Sequence, residues 1–288
     1  RDLETWQVRE PFWAPELYGI HECPDLFRQG DWWYLFFSTF SERQVTHYRM
    51  SRSLQGPWLA PPNDTLDAQG HYSAKTASNG QERYLFGWLP TREGETDAGR
   101  WQWGGNLVIH QVVTQDDGTL SAKPPESLLR HLRGRSLPLA PRELIGAWHL
   151  EGDAAWTAAA DPVTLLPGAA TGAGRGATNA MLSLGECPEP LLLEACVRYQ
   201  PGTQACGLLL RMEHEREGWY EVRLEPARQL VVIDRWHRPG TEPFVLEQPL
   251  PMVADRPVQL RAIVDGDCLV AYADNQVALS CRMYDHPR

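Results

Sequence analysis

Apolar and polar positions along this chain fall into short runs that alternate with a period of two, broken every few residues by turn residues, which is the pattern of antiparallel strands. Two of the most apolar runs, Tyr34-Leu35-Phe36-Phe37 and Tyr84-Leu85-Phe86, each follow a Gly-containing turn, Gln29-Gly30-Asp31 and Asn79-Gly80-Gln81. They belong to a repeat. His21…Tyr34-Leu35-Phe36 recurs as His71…Tyr84-Leu85-Phe86 at an offset of 50, and Arg1…Leu3…Trp6 recurs as Arg52…Leu54…Trp58 at nearly the same offset. Each copy reads as an apolar strand, an aromatic strand after its turn, and a further strand leading to a Trp. Four short strands in about fifty residues is the size of a β-propeller blade.

A third strand-rich unit follows, with Trp101 to Gln115 as strand and Asp116-Asp117-Gly118 as a turn before Thr119-Leu120. The pattern then changes. Pro124 to Arg133 predicts a short helix with Pro125 in its first turn and Gly134 after its end, and Leu137 to Arg142 reads as a connector. From Glu143 onward the period of two returns: Trp219, Glu221, Arg223 and Glu225 interleave with Tyr220, Val222 and Leu224, and Val258 to Arg261 runs toward an Asp265-Gly266 turn before Cys268 to Ala273. One buried face per strand at regular spacing predicts a β-sandwich. The expected fold class is all-β, with residues 1–136 as part of a propeller and residues 143–288 as the sandwich.

A formal charge of −10, with 27 Lys and Arg scattered along the chain, gives no basic stripe for nucleic acid or anionic lipid. No apolar run approaches the roughly 20 residues of a membrane-spanning helix. Six cysteines, Cys23, Cys187, Cys196, Cys206, Cys268 and Cys281, show no zinc-ligand spacing and read as mostly buried small hydrophobes. Their number also permits disulfides, which leaves the compartment open, cytoplasm or exterior. His71 and His110 are not spaced as metal ligands. Twelve tryptophans are compatible with stacking on sugar faces and with core packing alike.

The sharpest local signal is Glu22-Cys23-Pro24-Asp25-Leu26-Phe27, followed by Gly30, Trp33, Tyr34 and the strand Leu35-Phe36-Phe37-Ser38. Here the sequence resembles glycoside hydrolase family 32, the invertases, levanases and inulinases, whose acid/base motif is Glu-Cys-Pro-Asp at the start of such a strand. Tyr48…Ser51…Ser53…Gly56-Pro57-Trp58, Tyr72-Ser73-Ala74-Lys75-Thr76, Arg83 to Trp88, and Trp103-Gly104-Gly105-Asn106-Leu107 before Asp117 to Leu120 are similar to the family's later blades. Val264-Asp265-Gly266 and Arg282-Met283-Tyr284 are similar to the closing strands of its sandwich. The resemblance implies a five-bladed propeller and a retaining hydrolase of β-D-fructofuranosyl bonds in sucrose or a fructan. It implies Glu22 as general acid/base and neither a metal nor an organic cofactor.

Glycosidic cleavage needs a second carboxylate. The family carries its nucleophile in Trp-Met-Asn-Asp-Pro-Asn-Gly and a stabilising Asp in Arg-Asp-Pro, and neither motif occurs here, so both are expected upstream of Arg1 and this piece alone is expected to be inactive. Arg1-Asp2-Leu3 is not the second motif, since it matches Arg52-Ser53-Leu54 in the repeat. Asp25 reads as a turn-capping or bracing carboxylate. Tyr72 and Lys75 occupy the same part of the second copy as Glu22, and Trp88 and Trp103 lie at strand ends, which makes all four candidate sugar contacts. Ile109-His110-Gln111 stands where many members have Pro-Arg-Glu, implying an altered leaving-group side. Glu186-Cys187-Pro188 and Glu213 to Gly218 read as a loop and a charged hairpin turn. Rival readings are an arabinanase- or xylosidase-like propeller enzyme and a non-catalytic carbohydrate-binding protein.

Overall fold

A computed structural model describes residues 3–133, 143–146, 180–183, 189–199, 201–213, 218–237 and 245–286. Gly134, the connector Leu137 to Arg142 and Glu186-Cys187-Pro188 lie outside the described residues. The first sheet is an antiparallel meander of β1 (Glu22–Gln29), β2 (Trp32–Thr39) and β3 (Val45–Ser51). The chain then returns along the edge of β3 through single bridges, Met50 with Leu59 and His47 with Thr65. The second meander has four strands, β4 (Tyr72–Ser78), β5 (Arg83–Arg92), β6 (Trp101–Thr114) and β7 (Leu120–Lys123). Helix α1 (Glu126–Leu132) follows, beginning immediately after Pro125.

The repeat seen in the sequence is a repeat of backbone geometry. In the first meander Glu22 pairs with Ser38 and Asp25 with Phe36; in the second Tyr72 pairs with Trp88 and Lys75 with Phe86. The ladder is bulged between the two pairs in each copy, and the bulge carries a positive φ at Cys23 (49°) and at Ser73 (51°). A bulge at a strand end re-aims the neighbouring side chain, so Glu22 and Tyr72 leave their strands in the same way. The Arg1…Trp6 part of the repeat is not a strand repeat, because neither Leu3 to Trp6 nor its counterpart Arg52 to Trp58 lies in a strand.

Strand β2 is buried at six of its eight residues. Tyr34 and Phe36 join the apolar cluster shared with the second meander, while Phe37 on the other face is covered by the rings of Trp13 and Tyr18 at 5.1 and 5.6 Å.

The C-terminal part begins with a pair, β8 (Glu143–Gly146) and β9 (Ala180–Ser183), and continues as β10 (Leu191–Val197), β11 (Cys206–Leu210), β12 (Trp219–Glu225), β13 (Leu230–Trp236), β14 (Val245–Pro249), β15 (Val258–Asp265), β16 (Cys268–Ala273) and β17 (Val277–Arg282). The last eight form two four-stranded antiparallel sheets, ordered β10-β15-β16-β17 and β11-β12-β13-β14. The alternation read from sequence is the alternation of burial: Tyr220, Val222 and Leu224 point inward on β12, and Val258, Leu260, Ala262 and Val264 on β15. Glu213 N donates to Gly218 O across the charged segment, whose residues 214–217 lie outside the described ones.

The two parts share a seam. Tyr272 and Ala278 of β16 and β17 pack into the cluster of the N-terminal meanders. The cysteine expectation needs correcting. All five described cysteines are free, but only Cys281 is buried, Cys23, Cys206 and Cys268 are half-buried and Cys196 is exposed, because the latter sit at strand ends and edges. Among the described residues no helix is long and apolar enough to cross a membrane.

Candidate functional site

The bulged start of β1 sets Glu22 half-buried beside the start of β4. The Tyr72 hydroxyl donates to Glu22 Oε2 at 2.8 Å. Burial, and then the carboxylate to which it donates, push the Tyr72 phenol well above its ordinary range, so it stays a donor throughout the working pH of a protein. The phenol thus engages one of the two carboxyl oxygens, Oε2. The neighbouring strands are tied together below this pair: Thr76 N donates to Asp25 Oδ2 at 2.6 Å and Lys75 Nζ to Pro24 O at 2.7 Å. Asp25 is therefore engaged as a brace between β1 and β4, the use that its place in a turn suggested. Lys75 is exposed, with its ammonium committed in part to the Pro24 carbonyl.

The two candidate tryptophans come to the same place. Trp88 is the ladder partner of Tyr72, and Tyr72, Trp88 and Trp103 form a triangle of ring contacts, 6.4 Å from Tyr72 to Trp88, 5.8 Å from Tyr72 to Trp103 and 5.9 Å from Trp88 to Trp103. Trp88 Nε1 is buried without a partner, whereas Trp103 is 64% exposed and open to a ligand. Phe40 closes the outer side of Trp103 in an edge contact at 5.7 Å. Sequence reading missed Phe40, since a single aromatic after a strand carries no periodic signal.

A second group was also invisible in sequence. The Arg49 guanidinium is 4% exposed on β3, donates to Asp64 Oδ2 at 2.5 Å and Tyr18 Oη at 2.7 Å, and lies over the Phe37 ring at 5.2 Å. His21, next to Glu22, stacks on Trp13 at 5.3 Å and meets Phe37 edge-on at 5.1 Å. Burial and the Arg49 charge lower the His21 pKa, so the cluster flanks Glu22 with a neutral imidazole near neutral pH.

His110 of β6 is fully buried at the seam, with Nε2 2.9 Å from Asp67 Oδ2 and Nδ1 2.9 Å from the Tyr272 hydroxyl. Gln111 lies on the side of Glu82. Of Ile109-His110-Gln111, the first two meet the C-terminal sheets through the Tyr272 hydroxyl. His71 and His110, far apart in sequence, meet with ring centroids at 4.7 Å, and with Asp67 they are the one group of potential metal ligands among the described residues. Asp67 is already satisfied: Oδ1 accepts from Ala68 N and Ser280 N, and Oδ2 from His110 and the Ser280 hydroxyl. The Gly87 backbone presses on His71, so closely that a Cβ there would lie 2.4 Å from Nε2. The group is a hydrogen-bonded pin between the two parts of the chain.

This geometry defines an all-β protein whose two bulged meanders present a carboxyl, a phenol and an open tryptophan, seamed to a pair of packed sheets. In fold it is similar to fructan 1-exohydrolase IIa from Cichorium intybus, with a TM-score of 0.58 at 15% identity over 98% of this chain and 59% of that one. It is also similar to sucrose-6-phosphate hydrolase from Lactobacillus gasseri, with a TM-score of 0.57 at 13% identity over 92% of this chain and 50% of that one. In sequence it is 24% identical over 148 residues to the sucrose-6-phosphate hydrolase of Escherichia coli, an alignment covering 46% of this chain and 30% of that protein. The chain thus spans about half the length of these structures, and less of the curated relative. No protein-family profile matches the chain. Similarity in sequence and fold together makes this a chain like the fructosidases of glycoside hydrolase family 32.

Proposed function

We propose that the chain is part of a retaining hydrolase of β-D-fructofuranosyl bonds, residues 1–136 being blades of a five-bladed propeller, residues 143–288 its sandwich, and Glu22 its general acid/base. The observation that carries the reading is the held carboxyl at the bulged strand start, Glu22 fixed by Tyr72 beside the open face of Trp103. The relatives named above, which by their names act on sucrose 6-phosphate or a fructan, support the substrate class.

In the first half of the reaction the proton of the Glu22 carboxyl passes to the glycosidic oxygen as its bond to the anomeric carbon breaks, and a nucleophilic carboxylate takes that carbon. In the second half Glu22 accepts a proton from water as water displaces the enzyme carboxylate. The nucleophile belongs to a segment outside these 288 residues. Tyr72 holds one Glu22 oxygen, leaving the other to carry the proton that moves. Trp103 offers a ring face to the sugar, Trp88 supports it from behind, and Lys75 braces the strand pair near the pocket. This acid/base chemistry calls on no cofactor.

The test is Glu22→Gln in the complete protein. The amide keeps the shape and loses the transferable proton, so sucrose turnover should fall by about 10² to 10⁴. Formation of the fructosyl-enzyme from an activated aryl fructoside should suffer less, because its leaving group needs little protonation. Near-normal sucrose turnover by this variant between pH 5 and 7 would remove Glu22 from the acid/base role.

A further inference from the structure

At the opposite end of β1 from Glu22, between the two meanders, an open cleft of about 530 Å³ is lined by the ends of β1, β5, β6 and β7. β1 is eight residues long, so seven steps of roughly 3.3 Å put the cleft about 23 Å along the strand from Glu22. The proposed catalytic reading makes no use of it.

Its walls are polar and ordered. Gln29 spans the meanders, with Nε2 donating to Thr114 Oγ1 at 3.0 Å and Oε1 accepting from Arg83 Nε at 3.2 Å. The Arg83 guanidinium lies over the Phe27 ring at 3.9 Å and donates to Thr76 Oγ1 at 2.8 Å, which fixes it from a second direction. Gln111 is the decisive residue. It is 6% exposed, its amide nitrogen donates to Glu82 Oε1 at 2.9 Å, and its carbonyl Oε1 is buried with no partner. A desolvated acceptor left unpaired costs about 1–3 kcal/mol, so the position selects a donor from whatever fills the cleft.

The charges in the lining decide what kind of donor. Asp31, Glu82 and Asp116 are balanced by Arg52, Arg83 and Lys123, three carboxylates against three cations. A cleft without net sign does not favour an anion such as phosphate or a cation such as an ammonium. It suits a neutral group that donates and accepts at several points, and a sugar hydroxyl does both.

We propose that this cleft is a second carbohydrate-binding site, distinct from the Glu22 site, taking a neutral sugar residue of a chain or of a free oligosaccharide. A hydroxyl donates to Gln111 Oε1, and Lys123 and Arg83 donate to neighbouring hydroxyls. That the sugar is a fructan unit rests on the fructosidase reading; that the cleft holds a neutral sugar rests on its own walls.

The experiment is native electrophoresis of the complete protein through gels containing inulin, levan, xylan, soluble starch or no polysaccharide. All samples carry Glu22→Gln so that the polysaccharide is not consumed, and Gln111→Leu and Lys123→Met are added singly. Lys123→Met, near the strand end, provides a second probe if Gln111→Leu does not fold. Retardation by inulin or levan that weakens 3- to 10-fold in apparent affinity with either added substitution is expected, with sucrose turnover in an otherwise native background unchanged. If the substitutions weaken retardation by xylan or starch instead, the cleft stands and the fructoside reading falls. Retardation equal in all variants, none with any polysaccharide, or loss of binding on adding inorganic phosphate would each overturn the proposal.

Discussion

The two meanders have one backbone and two chemistries. Residues 50 apart occupy the same register positions: Glu22 and Tyr72 before the bulge, Cys23 and Ser73 within it at positive φ, Ser38 and Trp88 opposite. Around that shared frame the side chains diverge. His21 is exposed and stacks on Trp13 and Phe37, whereas its counterpart His71 is buried under the seam; the counterpart of Phe37 is Gly87, which leaves room for the His71 ring. One copy places a half-buried carboxyl at the strand start. The other places there the phenol that donates to that carboxyl and a buried histidine packed against His110. A repeated bulge thus aims side chains, and the sequence at each copy decides whether the aimed group is a carboxyl or the phenol that holds it.

If the division of roles is right, the matched pair should respond unequally. Glu22→Gln is expected to carry the loss of about 10² to 10⁴ in turnover given above. Tyr72→Phe removes only the hydrogen bond that fixes the carboxyl. A hydrogen bond to a charged group contributes about 1.5–3 kcal/mol, so kcat on sucrose in the complete protein should fall about 10- to 100-fold, with the aryl and sucrose substrates affected alike. A Tyr72→Phe loss equal to that of Glu22→Gln, with the same dependence on leaving group, would make the phenol the proton donor and undo the comparison.

The frame of this comparison was legible in the sequence because hydrophobic spacing and Gly turns are local. The offset of 50, the Gly30 and Gly80 turns, helix α1 after Pro125 and the alternation in β12 and β15 follow from neighbours along the chain. Glu22, Tyr72, Trp88 and Trp103 were found because motif and repeat placed them, and the structure brings them together. What was illegible depends on contacts between distant segments. The seam contacts of His110 arise only when β17 lays Ser280 beside Asp67, and the burial of Arg49 only when Trp13 and Tyr18 fold over it. The Arg1 to Trp6 match is a similarity of letters without a strand in either copy.

The histidine pair offers a pH test. Burial, and then the neighbouring His110, lower the His71 pKa from 6.5 to about 4. Between these values the unfolded chain binds a proton that the folded chain refuses, so acid favours unfolding. The contribution of His71 is complete above pH 6.5 and is lost as the pH falls toward 4, amounting to roughly 3 kcal/mol at 1.36 kcal/mol per pH unit. Asp67 adds to the loss at the lower end: burial alone would raise its pKa, but His110, His71 and Ser280 hold it below the ordinary value, and its contribution disappears as the pH falls through that lowered value. His71→Asn keeps a donor toward the Val108 carbonyl and cannot titrate. Denaturant unfolding of the native protein should lose stability between pH 6.5 and 4 more steeply than the variant. Parallel curves would show that His71 is not held neutral by burial.

The smallest expected effect falls at Gly87, where the two meanders differ most in volume. A Cβ added there would lie 2.4 Å from both Cε1 and Nε2 of His71, and the imidazole is boxed in by Asp67, His110 and the seam. No backbone strain is involved; the obstacle is a ring with nowhere to move. Overpacking of this kind costs about 1–3 kcal/mol, so Gly87→Ala should lower stability by that amount in denaturant unfolding. The cost should depend on the ring that causes it. Shortening the partner in His71→Ala makes room for the new methyl group, so the second substitution should cost much less in that background than in the native one, a coupling of about 1 kcal/mol or more in a double-mutant cycle. Additive losses would mean that Gly87 is required for its backbone and not for the space it leaves to His71, and the contrast with Phe37 would then say nothing about the seam.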